Sequence, residues 1–364
     1  MHLLILGGSR EHPGGVEAFC DRAIAALGRR DGWRVNRIFT GTAYLNLRRL
    51  PDFAASIGEL VRYRRERPDC VWLQYHAFPD LALLAIAKLI GMRVVVTPHL
   101  GANWRSQSDP LLRWLSGNAL KPADLLALLS PTQELEVNMP ASVPRALIRT
   151  FLPHDVLVQP LPAADTAPPT MRLVHAGRLS EGKGTFLVVE ICARLRDAGV
   201  SFSAEIIGSA DPETFDRLEQ LIVDLGLQDH LRVLRWLPVN ELLERLRAAD
   251  VLIHPSHIDS YPLIVLEGLA SGAIPICLRL AGASDMVDSY DGHIVGPEHP
   301  VEDVVAWLLS QDLADIRRRG RVAAEKVRAD YDWDHCAALA EEALSARPHD
   351  GRRVLPGAAN APVA

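Results

Sequence analysis

The sequence predicts an α/β protein made of two Rossmann-like, doubly wound domains that face each other across a cleft. Short apolar, β-branched runs alternate with stretches of helical periodicity along most of the chain. The predicted strands lack polar alternation, which indicates that helices cover both faces of each sheet. A segment rich in Pro and Ala, residues 154–170, separates two such alternating sets.

The first alternating set begins at the N-terminus with the run HLLIL. Its strands are predicted at residues 2–6, 33–39, 69–75 and 93–98, and its helices at residues 14–30, 53–67 and 79–90. Strands that are separated by helices pair in parallel, so this half of the chain predicts a parallel sheet.

The second set repeats the pattern. Its strands are predicted at residues 171–177, 202–208, 231–237, 250–256 and 273–277, and its helices at residues 183–198, 212–225, 240–248 and 262–271, with a final helix at 333–346. We therefore predict two domains, each with its own core, whose ligands bind at the carboxyl ends of the strands.

The domain boundaries follow from these two sets. We predict an N-terminal domain over residues 1–158, a linker over 159–170 and a second domain over 171–330. A terminal helix, residues 331–346, is expected to pack back on the N-terminal domain. Residues 347–364 are expected to form a disordered tail.

The charge is unevenly distributed. Residues 1–150 carry 19 Lys and Arg against 13 Asp and Glu, whereas the whole chain has a net charge of −6. The basic excess lies in residues 29–67, which hold 10 basic and 4 acidic side chains. This segment is either a solvated helix face or a surface for an anionic partner, which is either membrane headgroups or an anionic acceptor. Nucleic acid is not expected, because aromatic residues do not interleave with the basic ones.

Composition also indicates where the protein resides. The five cysteines are scattered and odd in number, which argues against a disulfide framework and fits a reducing, cytoplasmic setting. No apolar stretch approaches the roughly 20 residues that a membrane-spanning helix needs. The first residues are predicted to be a strand rather than a signal peptide.

Two glycine-bearing loops precede predicted helices. Gly14 and Gly15 stand before the first helix, where they let the backbone approach a ligand and leave helix N–H groups for an anion. In the second domain, Arg178 follows a strand, and Lys183 lies at a helix start between two glycines. This cation pair suits a diphosphate. Neither loop matches GxGxxG or a Walker A motif.

A third loop places two carboxylates eight positions apart in HIDSYPLIVLEGLASGAIPI. Asp259 precedes a helix that starts near Pro262, and Glu267 lies about a turn and a half inside it. Asp259 is either a helix cap or a ligand group. Glu267 sits among leucines and isoleucine, so it is either exposed on the outer face or held by a partner such as a sugar or ribose hydroxyl pair.

These motifs together resemble the family 4 retaining glycosyltransferases, which have the GT-B fold. The stretch with the two acids resembles the E-x7-E signature, and HAGRLSEGKGTFLVVEICARL (175–195) resembles the family's diphosphate-binding segment. DGHIVGPEHPVEDVVAWLLSQ (291–311) and DYDWDHCAAL (330–339) resemble later segments in the same order. The similarity covers nearly all of residues 171–344 and is looser before them. It implies an N-terminal acceptor-side domain and a C-terminal nucleotide-sugar donor domain.

The resemblance also implies roles at matching positions. It assigns Arg178 and Lys183 to the donor diphosphate, and Gly14 and Gly15 to a loop over that diphosphate.

For the sugar, the resemblance implies that Asp259 contacts the transferred residue, that Glu267 holds the nucleotide ribose and that His99 lies close to the sugar. It gives catalytic roles to Arg178, Lys183, His99 and Asp259. Between the two acids, it adds to the donor site Ser260, Tyr261 and Leu263. The first acid is Asp where Glu is commoner, and Tyr–Pro replaces a common Phe–Gly, so the sugar stays unidentified.

The expected function is transfer of a sugar from a nucleoside-diphosphate sugar to a hydroxyl acceptor with retention. The expected setting is bacterial surface polysaccharide, lipopolysaccharide or glycolipid synthesis, at the inner face of the plasma membrane. No metal or other cofactor is expected. The alternatives are a GT-B-type epimerase or phosphorylase, and a sugar-nucleotide-binding protein without catalysis.

Overall fold

The computed structural model describes residues 1–11, 14–42, 45–161 and 169–346. The chain forms two compact units, Met1–Phe151 with the segment from Tyr331 onward, and Leu152–Asp330. The predicted linker is described only at its ends, and the predicted tail lies outside the described residues.

The first unit contains a parallel sheet. Its strands are β1 (His2–Leu6), β2 (Arg34–Ile38), β3 (Cys70–Tyr75), β4 (Val94–Pro98), β5 (Leu125–Leu128) and β6 (Arg145–Leu147). Its helices are α1 (Gly15–Leu27), α2 (Leu50–Tyr63), α3 (Asp80–Leu89), α4 (Arg105–Ser108), α5 (Pro110–Ala119) and α6 (Gln133–Glu136). The strand order is β2-β1-β3-β4-β5-β6, and every pair is parallel.

The core of the first unit forms around its central strands. All six residues of β3 and all five of β4 are buried. Phe19 of α1 packs edge-on against Trp72, with ring centroids 5.3 Å apart, and the indole N–H donates to Thr97 at 2.8 Å. The near-continuous apolar strands thus bury both faces, as the sequence predicts.

The second unit contains a second parallel sheet. Its strands are β7 (Met171–Arg178), β8 (Phe202–Ser209), β9 (Leu231–Arg235), β10 (Val251–His254), β11 (Ile274–Leu278) and β12 (His293–Val295). Its helices are α7 (His154–Val158), α8 (Thr185–Asp197), α9 (Pro212–Asp224), α10 (Val239–Ala248), α11 (Leu263–Ser271), α12 (Ala281–Tyr290), α13 (Pro300–Ser310) and α14 (Leu313–Asp330). The order β12-β11-β10-β7-β8-β9 is that of a Rossmann sheet.

The last helix, α15 (Trp333–Ser345), belongs to the first unit. It packs against α1, where Arg30 pairs with Glu341 at 2.6 Å and the guanidinium of Arg29 lies 4.5 Å from the Trp333 ring. Asp332 caps its first turn by accepting from backbone N–H groups.

The predicted α/β class is confirmed, and most element boundaries agree within a few residues. The division after Phe151 precedes the predicted boundary at residue 158, because α7 packs on α11 of the second unit. The helix predicted at 53–67 ends earlier, at Tyr63, and a 3-10 turn follows. Pro68 disfavours a helical residue before it, and Arg67 adopts a left-handed conformation with φ +48°.

The structure also bears on two predictions from composition, which concern the cysteines and membrane-spanning helices. All five cysteines lie in the described residues, where they are buried and form no disulfide. Among the described residues, no helix combines the length and the apolar character that crossing a bilayer requires.

Candidate functional site

The strand order of the second unit locates a crevice between β7 and β10. These strands are hydrogen-bonded neighbours, yet the chain leaves β7 towards β8 on one side and β10 towards β11 on the other. Ligands bind outside the carboxyl ends of strands at such a switch point. The two loops that start there are residues 179–184 and 255–262, which carry four of the nine predicted donor residues.

Lys183 and Asp259 come together across this crevice. The Lys183 ammonium forms an ion pair with Oδ1 of Asp259, and the side chains are 22% and 15% exposed. A backbone hydrogen bond also joins the two loops, since the N–H of His257 donates to the carbonyl of Gly182 at 2.9 Å. The structure therefore joins the residue predicted for the diphosphate to the residue predicted for the sugar.

His254 is a functional candidate that the sequence analysis did not select. It ends β10 and is 4% exposed, and its Nε2–H donates to Oδ2 of Asp259 at 2.7 Å. Within the described part of the chain, its Nδ1 has no hydrogen-bond partner. The spacing of five residues between a strand-ending His and a loop Asp was the available signal.

The Asp259 carboxyl is held in its ionised form. Burial alone would raise its pKa, but the hydrogen bond and charge of His254 and the charge of Lys183 hold the pKa well below the usual range of an aspartic acid. The site thus presents a permanent carboxylate beside an ammonium group at neutral pH.

A buried network fixes the loop that carries Lys183. The Nδ1–H of His175 donates to the carbonyl of Ile253 at 2.9 Å, so in the neutral ring Nε2 accepts from the Thr185 hydroxyl at 3.2 Å. Thr185 in turn accepts from the N–H of Ser180 at 3.1 Å. Burial lowers the pKa of His175 to about 4, which keeps the ring neutral. These bonds tie the loop to β7 and β10.

Gly184 shapes the same loop at the N-terminus of α8. Its φ of +69° lies in the left-handed region, and a Cβ there would collide with the carbonyl oxygen of Pro255. Glycine is therefore required both for the turn and for the close approach of the two loops. The 13-residue helix that follows directs its first N–H groups towards the crevice side, where an anion is favoured.

The remaining predicted donor residues lie around the crevice. Arg178 is exposed at the last position of β7. Glu267 is 7% exposed within α11, so the structure resolves the sequence alternatives in favour of a buried carboxylate. Nearer the start of α11 lie Ser260, which is buried, and Tyr261 and Leu263, which are partly buried.

The predicted residues of the first unit lie at the carboxyl edge of its own sheet. Gly14 precedes α1 in an extended conformation, and no atom lies within 4 Å of a Cβ built on Gly15. His99 directly follows β4, and its Nε2–H donates to the side-chain oxygen of Gln74 at 2.9 Å. Burial lowers the pKa of His99 to about 3, so its Nδ1 is a neutral acceptor.

A buried acid that the sequence analysis did not select lies at the same edge. Asp80 is fully buried and accepts from the Thr42 hydroxyl at 2.5 Å and from the N–H groups of His76 and Ala77 at 2.9 Å. The His76 ring also contacts it, with Nδ1 to Oδ2 at 3.0 Å. Burial would lower the pKa of His76, but Asp80 raises it above the usual value.

Comparison with known proteins defines the class. The structure superposes on sucrose-phosphate synthase from Thermosynechococcus elongatus with a TM-score of 0.76 at 18% identity, covering 94% of this chain and 98% of that one. HepE of Anabaena, in complex with UDP-glucose, gives a TM-score of 0.73 at 16% identity, covering 94% and 100%. The chain has the GT-B fold.

The family follows from the sequence. Residues 167–326 match the model described as "Glycosyl transferases group 1". The described part of the second unit is thus similar to the group 1 glycosyl transferases over most of its length, and the resemblance is confirmed at that level.

Curated relatives are similar over part of their length. D-inositol 3-phosphate glycosyltransferase of Streptomyces bingchenggensis is 29% identical over 74% of this chain and 57% of its own length. Amylovoran biosynthesis glycosyltransferase AmsK of Erwinia amylovora is 26% identical over 57% of this chain and 50% of its own length. The chain thus spans between half and three fifths of these relatives.

Proposed function

We propose that this chain transfers a sugar from a nucleoside-diphosphate sugar to a hydroxyl acceptor with retention of configuration. The observation that carries the proposal is the group formed by Lys183, Asp259 and His254 at the β7/β10 switch point, beside the N-terminus of α8. The family match over residues 167–326 supports the reaction class.

The donor diphosphate is the proposed ligand of Lys183, Arg178 and the first N–H groups of α8. Cleavage of the bond between the anomeric carbon and the diphosphate oxygen leaves negative charge on that oxygen. Cations and helix N–H groups already in place stabilise this charge as it develops. Asp259 orients the Lys183 ammonium before the donor binds, because the two groups form an ion pair.

Retention follows if the acceptor attacks the face from which the diphosphate leaves. The acceptor oxygen forms the new bond to the anomeric carbon, and its proton passes to the departing phosphate oxygen, so the step balances without another reactant. The scheme requires no metal. It also gives the two acids binding roles rather than those of a hydrolase pair that flanks the bond.

The sugar and nucleoside are proposed to contact the other predicted residues. The ionised Asp259 accepts from sugar hydroxyls, and the neutral Nδ1 of His99 is a further acceptor. The buried Glu267 is proposed to accept from the ribose hydroxyls. The role expected for Gly14 and Gly15, a loop over the diphosphate, stays a prediction.

The proposed setting is the assembly of a surface polysaccharide, lipopolysaccharide or glycolipid. Relatives bear names from amylovoran and colanic acid biosynthesis, which supports this class of pathway. The five cysteines, which are buried and not joined in disulfides in the described residues, support a cytoplasmic location. An acceptor held at the membrane would bring the protein to the inner face of the plasma membrane.

Transfer is tested by incubating the protein with UDP-, GDP- and ADP-sugars and a panel of sugar and lipid acceptors. We expect acceptor-dependent release of one nucleoside diphosphate, and NMR of the product should show the anomeric configuration of the donor. An inverted product would contradict retention. Donor binding without any release would favour a binding protein, and release of an isomerised donor would favour an epimerase.

A further inference from the structure

Helix α5 exposes a stripe of large apolar side chains. Leu111 is 64% exposed, Trp114 60% and Leu115 37%. Their spacing of three and four residues places them on one face of the helix. On the other side Ser116 and Gly117 are buried, so the inner face of the helix is packed and its outer face is apolar.

This arrangement reverses the usual pattern of a surface helix. The outer face of such a helix normally carries polar residues, and a contiguous exposed apolar patch marks an interaction site. The apolar residues of α5 are not single exposed side chains, because they adjoin one another over one helical turn. A tryptophan at their centre is the residue type enriched where a bilayer meets water.

The stripe lies at the end of the first unit that carries His99. Helix α5 runs back antiparallel to the strands, so its first turn, with Leu111, lies near the carboxyl edge of the sheet. Helices α2, α3 and α5 pack side by side. The exposed Leu47, Leu50 and Phe78 precede or begin α2 and α3, and thus share this end.

The charge around the stripe complements an anionic surface. Residues 100–121 contain the exposed basic side chains Arg105, Arg113 and Lys121. Their only acid is Asp109, which caps α5. The segment therefore has a local charge of +2 (three basic minus one acidic), although the chain as a whole is at −6. Anionic lipid headgroups attract such a segment.

The basic segment that the sequence analysis identified, residues 29–67, is less suitable as a membrane-docking surface. Arg62, Arg64, Arg65 and Arg67 lie at the far end of α2, roughly 20 Å from its start, because the 14-residue helix rises about 1.5 Å per residue. Other arginines of the segment pair with acids, as Arg34 does with Glu66 at 2.9 Å. Its basic residues do not form one surface.

We propose that the outer face of α5 docks on a bilayer that contains anionic lipids, with Leu111, Trp114 and Leu115 inserted at the headgroup level. Apolar insertion and electrostatic attraction act together in this mode of binding. The surface is separate from the donor site, so this inference stands or falls independently of the proposed reaction. It gives the membrane contact a defined element near the acceptor-side edge.

The test is sedimentation of the full chain with vesicles of phosphatidylcholine and phosphatidylglycerol. Trp114→Ala should raise the lipid concentration needed for half-binding by about tenfold, the effect of withdrawing one large apolar side chain. Trp236→Ala is the matched control, because Trp236 is also 60% exposed but lies in the second unit. The control should bind as the wild type does. The wild type and both variants should bind more weakly to pure phosphatidylcholine than to the mixed vesicles.

Three results would overturn the inference. The first is a failure of the expected sedimentation. Either the wild-type protein does not sediment with the anionic vesicles, or the Trp114→Ala variant sediments with them as well as the wild type does. The second is loss of sedimentation on charge reversal of Arg64, Arg65 and Arg67 while Trp114→Ala has no effect. The third is a lower mass for Trp114→Ala in light scattering, which would make α5 a contact between two copies of this chain. Far-ultraviolet circular dichroism establishes that each variant is folded.

Discussion

The imidazole of His254 donates a hydrogen bond from Nε2 to Oδ2 of Asp259 at 2.7 Å, while the other oxygen of that carboxylate pairs with Lys183. One carboxylate thus orients a histidine at the end of β10 and a lysine before α8. The position of the lysine, which we assign to the donor diphosphate, therefore depends on a residue five positions before Asp259. This dependence leads to the first prediction.

Replacing His254 by leucine should weaken catalysis through Asp259. Without the donated hydrogen bond, the pKa of Asp259 rises towards its ordinary value and the Lys183 ammonium loses its fixed position. We expect kcat/KM to fall by roughly 10- to 150-fold, since a hydrogen bond to a charged group contributes about 1.5–3 kcal/mol. The acid limb of the pH–rate profile should move to higher pH. His254→Gln, which retains a donor, should recover part of the loss, whereas equal loss in both variants would contradict this role.

Replacing Gly184 by alanine should displace the loop that carries Lys183. The left-handed φ strains any L residue, and the added Cβ collides with the Pro255 carbonyl. Gly199→Ala is the matched control, because its φ is +73° but no atom lies within 4 Å of the added Cβ. The control should lose roughly 1 kcal/mol of unfolding free energy and keep nucleotide binding. Gly184→Ala should lose more stability and also lose binding in calorimetry. Normal nucleotide binding by Gly184→Ala would contradict the inference that the close approach of Gly184 to Pro255 positions the loop.

The neutral His175 should make the fold acid-sensitive. Its pKa is lowered to about 4 in the folded state, against about 6.5 when unfolded, so the unfolded chain binds the extra proton. Stability from this residue is present above about pH 6.5 and falls by roughly 1.4 kcal/mol per unit down to about pH 4. His99 adds to this slope, and His76, whose pKa is raised, opposes it.

The measurement is Tm between pH 7 and pH 4.5, for wild type and His175→Gln. The variant should be less stable at pH 7 and should lose stability less steeply as the pH falls. Parallel curves for the two proteins would show that the pKa of His175 is the same in the folded and unfolded states, which would contradict the lowered pKa of the buried ring. Asp259 does not interfere, because its lowered folded pKa confines its contribution to the region below about pH 4.

Replacing Glu267 by glutamine should separate nucleoside binding from diphosphate binding. If the buried carboxylate accepts from ribose hydroxyls, its loss should weaken the affinity for the nucleoside diphosphate roughly tenfold. Pyrophosphate has no ribose, so its affinity should be unchanged. Calorimetric titration with both ligands makes the comparison. An equal loss for both ligands would show that Glu267 supports the packing of α11 and does not contact the ribose.

The sequence predicted the strands and helices with long apolar patterns, and it selected two loops of the second unit whose charged residues lie together in the structure. Strand β1 has the predicted bounds, and Lys183 and Asp259 meet at one crevice. Strands β5 and β6 escaped prediction because four and three residues are too short to show a periodicity.

Other features depended on tertiary structure. The hydrogen bond between His254 and Asp259 requires the exact path of a six-residue stretch, and the burial of Glu267 requires the packing of α11 on β10. The apolar outer face of α5 could be recognised only when the exposed side of the helix was known. Spacing alone gives the period of a helix and does not say which face meets solvent.

The most direct test of the account measures the binding of UDP, GDP and ADP to the wild type, Lys183→Ala and Lys326→Ala by calorimetry and thermal shift. Lys326 is a control in the same unit, since it lies on α14 and donates to the Ser289 carbonyl. We predict that one nucleoside diphosphate binds the wild type and Lys326→Ala alike and loses at least tenfold affinity for Lys183→Ala. Unchanged binding to Lys183→Ala, or no binding of any of the three to the wild type, would contradict a diphosphate site at the β7/β10 switch point.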